Sequence, residues 1–219
     1  MGGGEGGVDP EDSDPDAPDR GHKMDEGLRW FSDFFFLPFL WFFGKLGISP
    51  NLVTVLGTAL AMVSGYYLAV KRVPLAAVFF VLSGVFDLAD GYVAKKLDRV
   101  TVFGSFLDSF SDRIADAAIY VGLMVYYLKL QEGIYVGLAI VLLVGSFLIS
   151  YLRARAEALG LKCKAGLMAR APRFLAVGFG LFFNGLSPWI LKIVMWVVSA
   201  LLVETLVERF IFVWRKLEA

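Results

Sequence analysis

From residue 50 onward the chain is a succession of apolar segments, each about as long as a helix that crosses a bilayer core. Hydrophobic residues make up 58% of the sequence, above the roughly 45–50% of an ordinary soluble domain. Because a helix satisfies its own backbone hydrogen bonds inside a bilayer, these segments predict helices. We place six transmembrane helices at residues 50–70, 74–95, 104–128, 133–157, 168–185 and 188–210. The predicted fold is therefore an all-α polytopic membrane protein.

Four segments of different composition divide the chain. Residues 1–27 hold nine of the 21 acidic residues and no apolar run, which predicts a disordered acidic tail and not a signal peptide. Residues 28–46 are aromatic and contain Pro38, which favours an amphipathic juxtamembrane helix lying in the membrane interface. Residues 47–215 are expected to form the six-helix domain, and residues 216–219 a short C-terminal tail. Beyond the acidic tail, 19 bases outnumber 12 acids, which suits anionic head groups or phosphorylated substrates.

Basic residues in the short loops predict the orientation of the helices. Lys95, Lys96 and Arg99 lie between the second and third predicted spans, and more bases surround the connection between the fourth and fifth. Since cytoplasmic loops are enriched in Lys and Arg, these loops and both termini should be cytoplasmic. Lys71 and Arg72, on the opposite side, disagree with the majority.

Two pairs of aspartates interrupt the apolar pattern. Asp87 and Asp90 are three residues apart at the end of the second span, and Asp108 and Asp112 are four apart at the start of the third. Each pair occupies one helix face. The short loop between the spans makes them antiparallel neighbours, so we expect the four carboxylates to converge in one pocket. They would repel one another there unless cations compensate their charge.

The residue types around this cluster favour a hard cation. Carboxylates without His or a nearby Cys suit Mg²⁺ or Mn²⁺ better than zinc, and four of them fit two ions. Two such ions could hold a pyrophosphate and stabilise an in-line displacement. Gly91, Ala94 and Gly104 would let a flat nucleotide or a neighbouring helix backbone approach closely. A divalent-cation channel or transporter is the alternative from another class, although the acids gather near one end of two spans instead of lining a path through the bilayer.

The complete pattern resembles a known family. It reads Asp87-x2-Asp90-Gly91-x2-Ala94-Lys95-x8-Gly104-x3-Asp108-x3-Asp112. This string is similar to the signature of the CDP-alcohol phosphotransferases, D-x2-D-G-x2-A-R-x8-G-x3-D-x3-D. Lys95 is the single departure, because it stands where the family has arginine and lacks the bidentate guanidinium.

The resemblance implies a reaction and roles for these residues. In the family, an acceptor hydroxyl attacks the phosphorus next to the lipid alcohol of a CDP-linked donor, and CMP leaves. By resemblance, Asp87, Asp90 and Asp108 would bind the metals, and Asp112 would complete the cluster and act as the general base. The residues expected around the CDP group are Asn51, Thr54, Gly91, Ala94, Lys95 and Gly104. For Asn51 and Thr54, a helix cap and a packing hydroxyl are equally good explanations.

The acceptor is predicted from a second cluster of bases at the ends of the fourth and fifth spans. Its members are Arg153, Arg155, Lys162, Lys164, Arg170 and Arg173. These charges would oppose a cationic acceptor, whereas a phosphorylated polyol would find several donors. We expect Arg153, Arg155, Arg170 and Arg173 to bind the acceptor phosphate, with positive-inside anchoring as the alternative explanation.

The segment YLRARAE and the downstream arginines look most like the branch that makes phosphatidylinositol phosphate or archaetidylinositol phosphate from inositol 1-phosphate. The alternatives are a phosphatidylglycerophosphate synthase that uses glycerol 3-phosphate, and a di-inositol phosphate phosphate synthase that uses CDP-inositol. The chain departs from the Glu-Arg-x-Glu-Arg type motif of the branch, since residues 169–173 read ARAPR. The donor lipid, diacylglycerol or archaeol, stays open.

Three smaller expectations complete the prediction. Arg113 and Asp116 lie three residues apart on one helix face and are expected to form a structural ion pair. The resemblance suggests a homodimer. Partners are expected to be the CDP-linked lipid, the polyol acceptor and the bilayer, and no nucleic acid.

Overall fold

The computed structural model describes residues 49–96, 100–161 and 170–218, and within these ranges the chain is helical with no β-strand. The helices are α1 (Pro50–Ala69), α2 (Val73–Lys96), α3 (Val102–Lys129), α4 (Gly133–Ala158), α5 (Arg170–Phe183) and α6 (Pro188–Glu218). The all-α prediction is confirmed for this part of the chain. The predicted acidic tail at 1–27 and interfacial helix at 28–46 lie outside the described residues.

The helices differ in how well they suit a bilayer. By length and composition, α1, α2 up to Gly91, α4 and α6 qualify as membrane spans. Charged side chains at Asp108, Asp112, Arg113 and Asp116 interrupt the apolar sequence of α3, and α5 has only 14 residues. The sequence predicted six spans, whereas four of the described helices are long and apolar enough to cross a membrane. α6 also continues to Glu218, beyond the predicted end at 210.

Local capping explains where the helices at the polar end begin. Ser49 precedes Pro50 and its Oγ accepts a hydrogen bond from the Leu52 amide at 3.3 Å, so Ser49 is the N-cap of α1. Thr101 caps α3 in the same way, since its Oγ1 accepts from the Gly104 amide at 2.9 Å. These caps bring the starts of α1 and α3 to the end of the bundle at which α2 finishes.

At the opposite end, two lysines cap each other's helix. Lys71 Nζ donates to the Lys129 carbonyl at 3.2 Å, and Lys129 Nζ donates to the Ala69 carbonyl at 2.8 Å. Both acceptors are at the last turn of a helix, where carbonyls lack intrahelical partners and the dipole favours a cation. This local role accounts for Lys71, which did not fit the predicted orientation.

Two glycines let α1 and α3 cross at backbone contact. A Cβ on Gly65 would collide with the Ala118 carbonyl, and a Cβ on Gly122 would lie 2.8 Å from the Gly65 Cα. Each glycine follows an alanine four residues earlier, Ala61 on α1 and Ala118 on α3. Small residues at this spacing allow membrane helices to pack closely without a hydrophobic driving force. The crossing therefore fixes α3, and its aspartates, against α1.

The short helix α5 packs against α2 through a reciprocal aromatic contact. Phe80 and Phe174 stack with ring centroids 4.1 Å apart and planes inclined by 18°. Each ring also covers a glycine of the other helix, because Cβ atoms on Gly84 and Gly178 would meet Phe174 and Phe80 respectively. The first residue of α5, Arg170, is thus held beside the end of α2.

Gly122→Ala should destabilise the protein by about 1–3 kcal/mol, because the added methyl group has no space between α1 and α3. Thermal unfolding in detergent measures the effect as a lower Tm. Gly137→Ala on α4 is the matched control, since nothing lies within 4 Å of its Cβ position. Equal Tm values for the two variants would contradict the close crossing.

Candidate metal centre

Three of the predicted aspartates meet where α2 ends and α3 begins. Asp87, Asp108 and Asp112 each offer a carboxylate oxygen, and these oxygens lie within 4.8 Å of one another. The sequence predicted α2 and α3 as direct antiparallel neighbours, whereas both helices pack against α1, and their acidic faces meet beside it. The structure thus brings these carboxylates together as the sequence predicted.

Asp90 is the most buried member of the cluster. Its residue is 5% exposed, it adjoins Thr54 of α1, and it lines the same cavity as the other three aspartates. Among the described residues, its Oδ2 is buried without a hydrogen-bond partner. A buried carboxylate oxygen without a donor is costly, which points to a cation as its partner.

Arg170 reaches the cluster from the start of α5. Its Nη1 donates to both carboxylate oxygens of Asp87, at 2.8 and 3.0 Å. The same nitrogen lies 2.8 Å from Asp112 Oδ1, but this contact is ionic only, because Oδ1 accepts no hydrogen bond among the described residues. Sequence reasoning expected Arg170 at the acceptor phosphate and did not foresee its contact with the carboxylates.

Among the side chains that the structure describes, the carboxylates of the site outnumber the cations. Arg170 and Arg113 face four carboxylates, and Arg113 is distant, with its Nη1 3.8 Å from Asp112 Oδ2 and hydrogen-bonded to the Ser109 carbonyl. The donor set consists of carboxylate oxygens, which suit Mg²⁺ or Mn²⁺. The buried Oδ2 of Asp90, which has no hydrogen-bond donor among the described residues, therefore fits a divalent ion.

A cavity of about 340 Å³ opens beside the aspartates. The predicted residues that line it are Asn51, Thr54, Asp87, Asp90, Gly91, Ala94, Gly104, Asp108, Asp112 and Arg170. Space is open at Gly91, where a Cβ would have no neighbour within 4 Å, while a Cβ on Gly104 would lie 3.2 Å from Asn51 Oδ1. The backbone of Lys95 belongs to α2, and its side chain lies outside the described residues.

Sequence reasoning missed several residues that line this cavity: Pro50, Val100, Thr101 and Ser105. Thr101 could have been found, because a threonine three residues before Gly104 fits the N-cap of the predicted third span. Ser105 and Val100 carry no such signal. They reach the cavity because the start of α3 faces the start of α1.

The other predicted acceptor residues are not at the cluster. Arg173 is 2% exposed and its Nη2 donates to Asp116 Oδ2 at 2.8 Å. Arg153 is exposed and pairs with Glu157 on its own helix, and Arg155 is exposed in the last turn of α4. Lys162 and Lys164 lie outside the described residues. The predicted Arg113–Asp116 ion pair is wrong, because Asp116 faces α5 and Arg113 points back to the previous turn of α3.

A second cavity, of about 560 Å³, lies between α2 and α5 and shares Asp87 and Arg170 with the first. Its walls are otherwise apolar and include Val81, Leu88 and Leu175, which are exposed at the outer surface of the helices. An apolar groove therefore leads from the carboxylates to the face that a bilayer would cover.

Residues 47–204 match the family model for CDP-alcohol phosphatidyltransferase. The chain is 32% identical over 177 residues to an archaetidylinositol phosphate synthase of Methanothermobacter thermautotrophicus. The aligned region covers 80% of this chain and 87% of that protein. It is 35% identical over 174 residues to a phosphatidylinositol phosphate synthase of Mycolicibacterium smegmatis. That aligned region covers 75% of this chain and 77% of the relative.

Solved structures give the same likeness. The phosphatidylinositol phosphate synthase of Mycobacterium tuberculosis with CDP-DAG bound matches with a TM-score of 0.74 and 30% identity, over 81% of this chain and 92% of that one. The same enzyme in complex with manganese and citrate matches with a TM-score of 0.74 and 29% identity, over 81% and 88% of the two chains.

Asp90→Asn should raise the Tm in the presence of a chelator, because it removes a buried negative charge that has no hydrogen-bond donor at Oδ2. The same substitution should reduce the Tm increase that Mn²⁺ causes, since one metal ligand is lost. Glu157→Gln, at an exposed ion pair on α4, is the control and should change neither value. An unaltered Mn²⁺ effect in Asp90→Asn would argue that Asp90 is no ligand.

Proposed function

Because the chain belongs to the CDP-alcohol phosphatidyltransferase family, and is thus a membrane-bound transferase, we propose that it makes an inositol phosphate lipid. The reaction transfers a phosphatidyl or archaetidyl group from a CDP-linked lipid to a hydroxyl of inositol 1-phosphate and releases CMP. The observation that carries the proposal is the cluster of four aspartates, in a cavity that continues into an apolar groove. The similarity to synthases of archaetidylinositol phosphate and phosphatidylinositol phosphate supports the same acceptor.

The two adjoining cavities favour a lipid-linked donor. The polar cavity beside the aspartates has the small residues Gly91 and Ala94 in its wall and room for the CDP group. The apolar groove begins at Asp87 and Arg170 and suits a hydrocarbon chain of the same molecule. A synthase that uses CDP-inositol would have no need of such a groove at the reacting phosphates. Family membership likewise argues against a cation channel.

The carboxylates supply the chemistry in this proposal. Divalent metal, Mg²⁺ or Mn²⁺ and most simply two ions, would be held by Asp87, Asp90, Asp108 and Asp112. When bound, the metal would neutralise the negative charge of the pyrophosphate and the charge that develops on it during transfer. Asp112 accepts the proton of the attacking hydroxyl, because it lines the cavity beside the other three carboxylates. A bond forms between the acceptor oxygen and the lipid-side phosphorus, and the bond from that phosphorus to CMP breaks.

Arg170 is the arginine best placed for the acceptor phosphate. It lines the polar cavity, and its Nε is a buried donor without a hydrogen-bond partner among the described residues. A guanidinium that already carries one partner can bind phosphate with its remaining donors. Arg153 and Arg155, at the same end of the bundle, are proposed to attract the anionic acceptor to the site. Arg173 was expected to bind phosphate as well, but its buried pairing with Asp116 favours a different role.

The same proposal extends to the arrangement in the membrane. We propose six membrane crossings formed by residues 47–215, with α3 and α5 shielded by their more apolar neighbours. The bases near the aspartates favour a cytoplasmic active site and cytoplasmic termini. Residues 28–46 are proposed to lie in the interface and residues 1–27 to be a disordered tail. Association as a homodimer is likewise a proposal.

Release of CMP by the purified protein tests this function. CDP-diacylglycerol and CDP-archaeol are offered separately in Mg²⁺ with inositol 1-phosphate, glycerol 3-phosphate, serine or free inositol. We expect release only with inositol 1-phosphate, and loss of at least about a thousandfold in Asp112→Asn, which lacks the proposed base. Release with glycerol 3-phosphate would support a phosphatidylglycerophosphate synthase. Absence of release with every pair, while CDP-inositol supports it, would overturn the lipid donor.

Val81→Trp should fill part of the apolar groove and raise the KM for a CDP-lipid with long chains by about tenfold. The KM for a dihexanoyl analogue should change much less, because its chains end near the carboxylates. Val78→Trp, on the exposed surface of α2 outside the groove, is the matched control. Equal effects of Val81→Trp on both donors would place the lipid chains elsewhere.

A further inference from the structure

Two aspartates of α3 face two arginines of α5 in register. Asp112 and Asp116 are one turn apart on α3, and Arg170 and Arg173 are one turn apart on α5. Arg170 Nη1 lies 2.8 Å from Asp112 Oδ1, and Arg173 Nη2 lies 2.8 Å from Asp116 Oδ2. We call Asp112–Arg170 the upper pair and Asp116–Arg173 the lower pair. The two pairs connect the same helices one turn apart.

The two pairs differ in their access to substrate. The side chains of the upper pair are 27% and 16% exposed for Arg170 and Asp112, and both line the polar cavity. Those of the lower pair are 3% and 14% exposed for Arg173 and Asp116, and neither lines that cavity. The lower pair therefore cannot touch the acceptor or a metal ion held by the cluster. Arg170, by contrast, divides its contact between Asp112 and Asp87.

The side chains around the lower pair are buried and closely packed. Tyr120, one turn beyond Asp116 on α3, is 3% exposed and adjoins both Arg173 and Ser146 of α4. The next residue of α5, Phe174, is stacked on Phe80 of α2. A buried ion pair with such packed neighbours is confined to few geometries, and loss of one charge removes the ionic link between α3 and α5.

The lower pair is close enough to Arg170 to influence its position. Arg170 is the first described residue of α5, and its ion pairs run to Asp87 of α2 and Asp112 of α3. The Phe80–Phe174 stack holds α5 against α2, and Gly180 packs against Leu191 of α6, but both contacts lie farther along α5 from Arg170 than Arg173 does. The lower pair holds α5 from the side of α3, three residues from Arg170.

We propose that Asp116 and Arg173 are positioning residues for the transfer reaction. Their ion pair holds the start of α5 against α3, so that the Arg170 guanidinium stays at the cluster while it exchanges between the Asp87 and Asp112 carboxylates and the acceptor phosphate. The inference rests on the proposed function of Arg170 as the phosphate-binding residue. It gives the second arginine of the ARAPR segment a role that does not require contact with substrate.

Asp116→Asn tests the proposal, since it removes the charge and keeps the size of the side chain. The KM for the acceptor should rise about tenfold while the KM for the CDP-lipid stays within about twofold. In an Arg170→Gln background the same substitution should have no further effect on the acceptor KM, because the residue through which it acts is gone. An equal rise in both backgrounds, or a rise in donor KM of the same size, would overturn the proposal.

A second measurement requires no turnover. Arg170 contacts two proposed metal ligands, so its displacement should strengthen Mn²⁺ binding, measured by electron paramagnetic resonance. In the Arg170→Gln background, Asp116→Asn changes the Mn²⁺ Kd only through the direct effect of the lost charge. In the protein that retains Arg170, the same substitution should give a Kd at least about threefold lower than that direct effect alone would give. Equal shifts in the two backgrounds would contradict a positioning role. This result is independent of which acceptor, if any, supports CMP release.

Two controls separate positioning from stability. Glu132→Gln breaks an ion pair of similar length with Lys192, 2.7 Å, at a part of the fold remote from the cluster. It should lower the Tm and leave the acceptor KM unchanged. Arg173→Lys, which keeps the charge, should retain most of the acceptor affinity. Arg173→Gln, which breaks the same pair from α5, replaces Asp116→Asn as the test variant if the latter does not fold. A rise in acceptor KM in Glu132→Gln would show that loss of stability alone produces the effect.

Discussion

Repulsion among four carboxylates in a poorly solvated site is the constraint on which the rest of the structure depends. Asp87, Asp90, Asp108 and Asp112 share one cavity near the end of an apolar bundle, where solvent screening is weak. Among the described residues, Asp90 Oδ2 is buried without a hydrogen-bond donor, and Arg170 is shared between Asp87 and Asp112. The site is therefore arranged for cations, and the Arg170 guanidinium contributes one of them. An arrangement that needs external positive charge is also one that binds metal-complexed pyrophosphate well.

The remainder of the fold holds these charges in place at the backbone level. Gly65 and Gly122 bring α1 and α3 into direct contact, which positions Asn51 and Thr54 opposite the start of α3. The Phe80–Phe174 stack brings α5 to α2 and leaves an apolar groove between them. Close packing through small residues and rings does not use polar groups. The polar side chains of these helices are thus available for the site at one end of the bundle.

Much of the site was predictable because both halves of the motif are local. The spacing of Asp87 and Asp90, and of Asp108 and Asp112, assigns each pair to one helix face, and the short loop starts α3 at the end where α2 finishes, although α3 packs against α1 and not directly against α2. The acceptor arginines were harder, because charge alone does not tell whether Arg170 and Arg173 face substrate, lipid head groups or carboxylates. The Arg113–Asp116 pair failed for a related reason. Helical spacing permits such a pair, but Asp116 instead forms an ion pair with Arg173 on another helix.

The sequence by itself determined the membrane character, the helical class, the positions of most helices and the metal-binding type of the cluster. Each of these follows from composition or from spacings of a few residues, which backbone geometry converts directly into structure. Only the tertiary structure decided which helices face each other with which side. It placed Arg170 on Asp87, 83 residues away, and Arg173 on Asp116, 57 residues away. Periodicity fixes the face of one helix, whereas the partner of that face depends on the packing of the whole bundle.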